Sequence, residues 1–316
     1  MTSPYTIAHI ADLHLSAEHK RFNLRRARRL LDAVAGQNVD HVVVTGDIAA
    51  DANRRDFEIA HRLFRSAGLT ESGRLSVVIG NHDIFGGVHA AEDILSFPRR
   101  CREVDYARRV EEFRVQFHES FERCLFASDR NPFPFAKILG NIVLIGMNSV
   151  ARYSKVKNPV GSNGEVGDGQ LKRFRQLCEI PEIKRKRKLV LIHHHFNKSH
   201  PAGAGLLNST WGVIERQTMK LRGKKALLEL FREQGVELVL HGHVHTTVEY
   251  ERKGIRFLNS GGALLGPPEV ECAFHLIKVA PEGIEISRVS VSGEESSLPS
   301  VRPIPRKIPD AELQAA

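Results

Sequence analysis

Five short blocks of oxygen- and nitrogen-bearing side chains recur along this chain. They are Asp12-Leu13-His14, Gly46-Asp47, Gly80-Asn81-His82-Asp83, His193-His194-His195 and His241-Gly242-His243-Val244-His245. Each stands where a buried apolar run gives out, and together they hold eight of the sixteen histidines. One such block means little, since a DLH tripeptide arises readily by chance and GHVH could be a polar turn. Five in succession, all at strand ends, point to metal chemistry. Carboxylate, imidazole and amide oxygen together suit hard-to-borderline divalent ions such as Mn, Fe or Zn rather than thiolate-loving metals. Asp12 and His14 lie two apart, so in an extended chain both side chains leave on one side and could reach one ion. His243 and His245 share that spacing.

The elements that must carry these blocks are legible from apolar runs. Val- and Ile-rich stretches predict buried strands at 6–11, 41–45, 75–79, 142–147, 189–192 and 236–240. Helical periodicity predicts helices at 23–35, 54–66, 168–178 and 224–234. Later the pattern changes to hairpins at 248–259, turning at Lys253-Gly254, and at 273–291, turning at Pro281-Glu282-Gly283. Strands that begin with crossover helices and finish in hairpins predict an α/β (α+β) fold of two packed mixed sheets, not one doubly wound sheet. Between 84 and 134 an insertion holds a charged helical stretch at 103–125, with Val110, Phe113, Phe117 and Phe121 spaced to pack on the core. The segment 196–223, with Gly203, Gly205, Asn208, Ser209 and Trp211, lacks periodicity and follows the triple histidine, so it is expected to overhang the site. His200 lies in it, and its default reading is a plain loop histidine. The chain from 294 to 316 is rich in Pro and Ser and is expected to be a flexible tail.

Composition bounds the rest. With 316 residues, 41% hydrophobic and 26% charged, the chain has the make-up of a globular protein. No run of about eighteen apolar residues predicts a membrane span, and the N-terminus enters the first strand without an export signal, so a cytoplasmic location is expected. Cys101, Cys124, Cys178 and Cys272 are scattered, with no C-x-x-C pair, as in reduced proteins. The formal charge of +9 favours anionic substrates. The basic clusters at 25–29 and 184–188 are expected to be a solvated helix face and a solvated connector, and neither has the interleaved aromatics that stack on bases.

In this order, D-x-H, G-D, G-N-H-[D/E], H and G-H-x-H resemble the signature of the calcineurin-like metallophosphoesterases. The resemblance spans Asp12 to His245. It implies a four-layer αββα sandwich, one catalytic domain over 1–293, and two divalent ions. By resemblance the first ion takes Asp12, His14, Asp47 and His245, and the second takes Asp47, Asn81, His193 and His243. Asp47 would bridge with its two oxygens, and a metal-bridging hydroxide would attack phosphorus. His82 is implied as the general acid at the leaving oxygen, with Asp83 orienting its ring. His194, His195 and His241 are candidates for supporting the ligands or facing substrate.

One position departs from many members: Ala50 stands three residues after Asp47, with Asp51 next. The serine/threonine phosphatase pattern G-D-x-V-D-R-G and G-N-H-E is not matched, and His82 counts against the branch of lipid-A-pathway pyrophosphatases that carries Arg there. Leu189–His195 and Gly167-Asp168-Gly169-Gln170-Leu171 are similar to the class III cyclic-nucleotide phosphodiesterase branch. The resulting expectation is a phosphodiesterase acting on a small phosphoester or nucleotide. The alternatives are a nuclease of the repair-exonuclease type, a nucleotide-type pyrophosphatase, and a non-catalytic interaction scaffold on the same fold.

Overall fold

Uninterrupted Val, Ile and Leu runs form the central strands, as strands buried on both faces require. The computed structural model describes residues 4–19, 21–71, 73–90, 92–126, 131–197, 219–264, 271–292 and 300–303. The first sheet contains β1 (Tyr5–Ile10), β2 (His41–Thr45), β3 (Leu75–Val78), β13 (Cys272–Ala280), β14 (Gly283–Val291) and β15 (Ser300–Pro303), in the order β15-β14-β13-β1-β2-β3. β1, β2 and β3 run parallel, while β13 lies antiparallel to β1, with Ile7 opposite Ile277. The second sheet contains β4 (Cys124–Phe126), β5 (Phe135–Leu139), β6 (Ile142–Gly146), β8 (Arg187–Leu191), β10 (Val236–His241), β11 (Val248–Arg252) and β12 (Ile255–Asn259). Its order is β11-β12-β10-β8-β6-β5-β4, and the central four strands are parallel. A small pair, β7 (Gly164–Glu165) with β9 (Leu221–Arg222), stands apart.

Alternation along the second sheet divides the core. Leu144, Leu189, Leu191, Leu238 and Leu240 pack with Ile7, Val42, Val44 and Val77 of the first sheet. Their neighbours Val143, Ile145, Val190 and Val239 pack instead with Phe174 and Leu177 of α6 (Asp168–Glu179) and with Leu227 and Phe231 of α8 (Lys224–Glu233). α1 (Phe22–Ala35) and α2 (Arg54–Ser66) flank the first sheet through Leu30, Val34, Phe57 and Phe64. The Asn53 side chain fixes the start of α2 by accepting from the Asp56 N–H at 2.9 Å. Helix, sheet, sheet, helix is the layering expected from the sequence.

Several local expectations are corrected. The stretch 103–125 is not one helix. α4 (Asp93–Glu103) ends where Val104 turns extended, and Asp105 caps a new helix, α5 (Tyr106–Gln116), by accepting from the Arg108 N–H at 3.1 Å. A 3-10 turn over His118–Phe121 and the strand β4 follow. The phenylalanines do face inward: Phe113, Phe117 and Phe121 are all buried. Their aromatic partners Phe57, Phe133 and Phe135 lie on different elements, so packing rather than helical continuity sets the backbone. The tail expectation fails at Ser300–Pro303, which hydrogen-bonds to β14 as an edge strand. Arg26 of the basic helix face is buried and donates to the Leu264 carbonyl at 2.7 Å. The 184–188 cluster is not a solvated connector throughout: Arg187 and Lys188 begin β8, and Arg187 grips the Glu237 carboxylate with Nε and Nη2.

Candidate metal centre

Parallel strands deliver their carboxyl ends to one edge of a sheet, so the loops after them can share a crevice. The first three blocks follow β1, β2 and β3, and the last two follow β8 and β10. The chain there is not extended as the two-residue spacing suggested. Asp12 (φ 55°), His14 (φ 43°), Asp47 (φ 51°) and His243 (φ 72°) all adopt left-handed conformations. Such residues cost of order 1–3 kcal/mol each and persist where surrounding structure demands them. Here the loops after β1 and β2 run side by side, with Asp12 N–H donating to the Gly46 carbonyl at 3.1 Å and His14 N–H to the Asp47 carbonyl at 2.9 Å. The block glycines allow this approach. A Cβ on Gly80 would lie 2.2 Å from Asp47 Oδ1, and one on Gly46 would lie 2.5 Å from His193 Nδ1.

Three overlapping groups of ligand-type atoms result, and one of them joins His14 and Asp47 to His82. Asp12, His14 and His245 form a second, with His14 Nε2 3.2 Å from His245 Nε2. Asp47, His193 and His243 form the third, joined by Asn81, whose Oδ1 is 3.1 Å from His193 Nε2. His243 Nδ1 is also 3.1 Å from that nitrogen. Between the second and third groups stands Asp47 Oδ2, 3.8 Å from His14 Nε2 and 3.4 Å from His193 Nε2. Its Oδ1 is occupied by the His82 N–H at 2.8 Å. The Asp47 carboxylate thus has Oδ2 turned toward imidazoles of both groups and Oδ1 accepting a backbone N–H. The Asp12 carboxylate accepts the His243 N–H at 3.1 Å, tying the two sheets across the site.

The donor set fits divalent cations. His193 must donate Nδ1–H to the Thr45 carbonyl, 2.8 Å away, so its Nε2 turns a lone pair toward Asn81 Oδ1, His243 Nδ1 and Asp47 Oδ2. Converging acceptors in a buried site are stable around a cation and repulsive without one. A proton can partly substitute: burial depresses the His193 imidazole, but the Asp47 and Asp12 carboxylates outweigh it and raise it to about 9. Burial lowers His14 and His243 well below the ordinary imidazole range, aided by His82 and His194 respectively, which leaves them neutral as ligands must be. Burial pushes Asp12 up, whereas His193 and His82 hold Asp47 down against burial.

The remaining candidates divide. His82 lies beside His14, ring centroids 4.5 Å apart, and its Nδ1–H donates to the Ala50 carbonyl at 3.1 Å. Asp83 does not orient that ring. Its two oxygens accept from Ala49 N–H at 3.0 Å and Gly80 N–H at 2.9 Å, and burial with the nearby Asp47 charge pushes it up to about 7. It braces the loop after β2 against the loop after β3. His194 is buried between Ser149 Oγ, 2.8 Å from its Nδ1, and the His243 ring at 4.4 Å. His195 is likewise buried beside His243, with centroids 6.0 Å apart. His241 is held at Nε2 by the Tyr250 hydroxyl at 2.8 Å and lies inside the second sheet. Neither the Thr45 and Ala50 carbonyls nor Ser149 and Tyr250 carried a sequence signal, because their roles depend on approaches between distant segments. His200 and most of the segment expected to overhang the site lie outside the described residues.

A sequence model of calcineurin-like phosphoesterases matches residues 5–247, the span that carries all five blocks. The chain belongs to this family. As a calcineurin-like phosphoesterase it is a metal-dependent phosphoric ester hydrolase working with two divalent ions. Its fold is shared with a dimetal phosphatase from Danio rerio at 15% identity, covering 96% of this chain and 100% of that one, with a TM-score of 0.58. It is also shared with a purple acid phosphatase from yellow lupin (Lupinus luteus) seeds at 14% identity, covering 97% of this chain and 54% of that one, with a TM-score of 0.55. At these identities the likeness concerns the fold. No match is found among curated proteins. No helix among the described residues is long and apolar enough to cross a membrane.

Proposed function

We propose that this calcineurin-like phosphoesterase is a cytoplasmic phosphodiesterase of small anionic substrates. Asp12, His14, Asp47 and His245 hold one divalent ion, and Asp47, Asn81, His193 and His243 hold the other. Once bound, the ions supply Lewis acidity to the phosphoryl group and to water. His82 is the general acid. The observation that carries this role is its tethered Nδ1: the Ala50 carbonyl at 3.1 Å keeps that proton, so Nε2 is the nitrogen that can give one up. A protonated ring donates from Nε2 to the departing oxygen and is left as the neutral Nδ1–H tautomer, still bonded to Ala50. Such an acid serves an ester whose leaving alkoxide needs that proton. The formal charge of +9 favours anionic substrates, and the four cysteines, all unpaired, support a reducing compartment.

The test is kcat/KM of the Mn²⁺-loaded protein for bis-p-nitrophenyl phosphate against p-nitrophenyl phosphate. The diester is expected to be preferred, and preference for the monoester would overturn the assignment. Cleavage of DNA that outpaces the small diester and weakens with salt would favour the nuclease reading.

A further inference from the structure

A second cluster of ligand-type side chains lies outside the dinuclear centre. His19, Asp51 and His89 each offer one ligand atom, and these atoms lie within 4.8 Å of one another. They come from three different loops, those following β1, β2 and α3 (His82–Phe85), and they line a surface cleft shared with Phe85, Asp93 and Arg100. We propose that they form a third cation site, selective for a borderline divalent ion such as Zn²⁺.

The geometry supports this in three ways. His89 Nε2 is 2.8 Å from Asp51 Oδ2, a separation that two ligands of one ion can share, and both side chains are only 21% exposed. The outer contacts hold the ligands in place: Asp51 Oδ1 accepts from the Gly87 N–H at 3.3 Å, and the His89 N–H donates to Asp93 Oδ2 at 3.2 Å. The His19 ring stacks on His89 at 4.0 Å and 16°, yet among the described residues it has no hydrogen-bond partner. A stacked imidazole with free nitrogens beside a His–carboxylate pair supplies the third donor. Two imidazoles and one carboxylate are a zinc-type set that keeps a further position open, whereas Mg²⁺ and Ca²⁺ prefer all-oxygen ligands. The competing reading is a plain Asp51–His89 ion pair with His19 resting on it.

The site has a structural consequence. Asp51 follows Ala50, whose carbonyl holds His82, and the three loops it joins follow the first three ligand blocks. An ion there would clamp together the loops that carry Asp12, Asp47 and Asn81.

The experiment is zinc titration of protein already carrying two ions per chain, read by calorimetry and by metal analysis after desalting. Wild type should take a third zinc and melt at a higher temperature on binding it. His19→Ala and His89→Ala should each weaken the third ion at least tenfold while keeping the other two, and Mg²⁺ should not occupy the site. His19 is exposed, so its replacement leaves the core intact. Wild type that stops at two ions, or variants that bind the third unchanged, would overturn the proposal. It does not rest on the diesterase reading: Asp47→Asn should disturb the centre and spare the zinc that depends on His19 and His89.

Discussion

His82 has one ring nitrogen committed to the Ala50 carbonyl and one left free, so acid catalysis and metal binding are told apart by experiment. With Asn81 as the ligand in that block, as proposed, His82→Ala should keep both ions. Loss of kcat/KM should depend on the leaving group. For a diester with an alkoxide-like leaving group it should reach about 100- to 10,000-fold, the range typical of general acids. For a p-nitrophenyl ester, which departs as a stabilised phenolate, it should be much smaller. Equal losses on both substrates, or departure of an ion, would make His82 a ligand or a phosphate-binding residue. Its neighbour behaves differently. Asp83 accepts two backbone N–H groups, and an amide has only one oxygen to offer them. Asp83→Asn should therefore leave a buried donor facing an NH₂ group and cost about 1–3 kcal/mol of stability. Activity should fall alike on both leaving groups. A normal urea midpoint together with a leaving-group-dependent loss would restore Asp83 to ring orientation.

At the scale of elements, the insertion between β3 and β5 packs through aromatic contacts. Phe113 of α5 meets Phe57 of α2 edge-on at 5.9 Å and Phe117 at 4.9 Å, and all three rings are buried. Truncating such a ring removes its transfer energy and leaves a cavity the neighbours fill only in part. Phe113→Ala should destabilise the fold by about 3–5 kcal/mol, measured by denaturant titration. Metal content of the surviving folded protein should stay at two ions, since no ligand lies on α5. A loss below about 1 kcal/mol would mean that α5 is only loosely attached to α2.

The whole molecule is held at its centre by groups that repel one another unless cations lie among them. Asp12 and Asp47 are both buried, and imidazole nitrogens from both sheets converge on the same space. Ions that bind the folded state alone stabilise it by mass action, by about 2.7 kcal/mol for each site at a free concentration one hundred times its Kd. Chelation should accordingly lower the melting temperature as well as abolish activity. The two effects should return together on adding back Mn²⁺ or Zn²⁺. An unchanged melting curve after metal loss has been verified would count against a centre shared between the sheets.

Local pattern was enough for the central strands and the two late hairpins, the two-sheet class and the five blocks, but not for the short or edge strands β4, β5, β7, β9 and β15. Apolar runs, turn residues and the ligand types next to them are written in adjacent positions. The inward face of Phe113, Phe117 and Phe121 could likewise be read from their spacing. What surrounds each block was decided only in three dimensions. The left-handed backbone at Asp12, His14, Asp47 and His243 follows from loops pressed together across strand ends. Asp47 Oδ1 accepts the His82 N–H while Oδ2 faces His14 and His193, an arrangement that needs the loops after β2 and β3 packed together. Asp83 braces two loops, and Ala50, not Asp83, holds the His82 ring, because a hydrogen bond goes to whatever the packed chain places within reach. His19, Asp51 and His89 belong to no sequence motif and meet only because β1, β2 and β3 lie side by side and parallel. Sequence spacing records which groups are available. Tertiary approach decides which of them share an atom's distance.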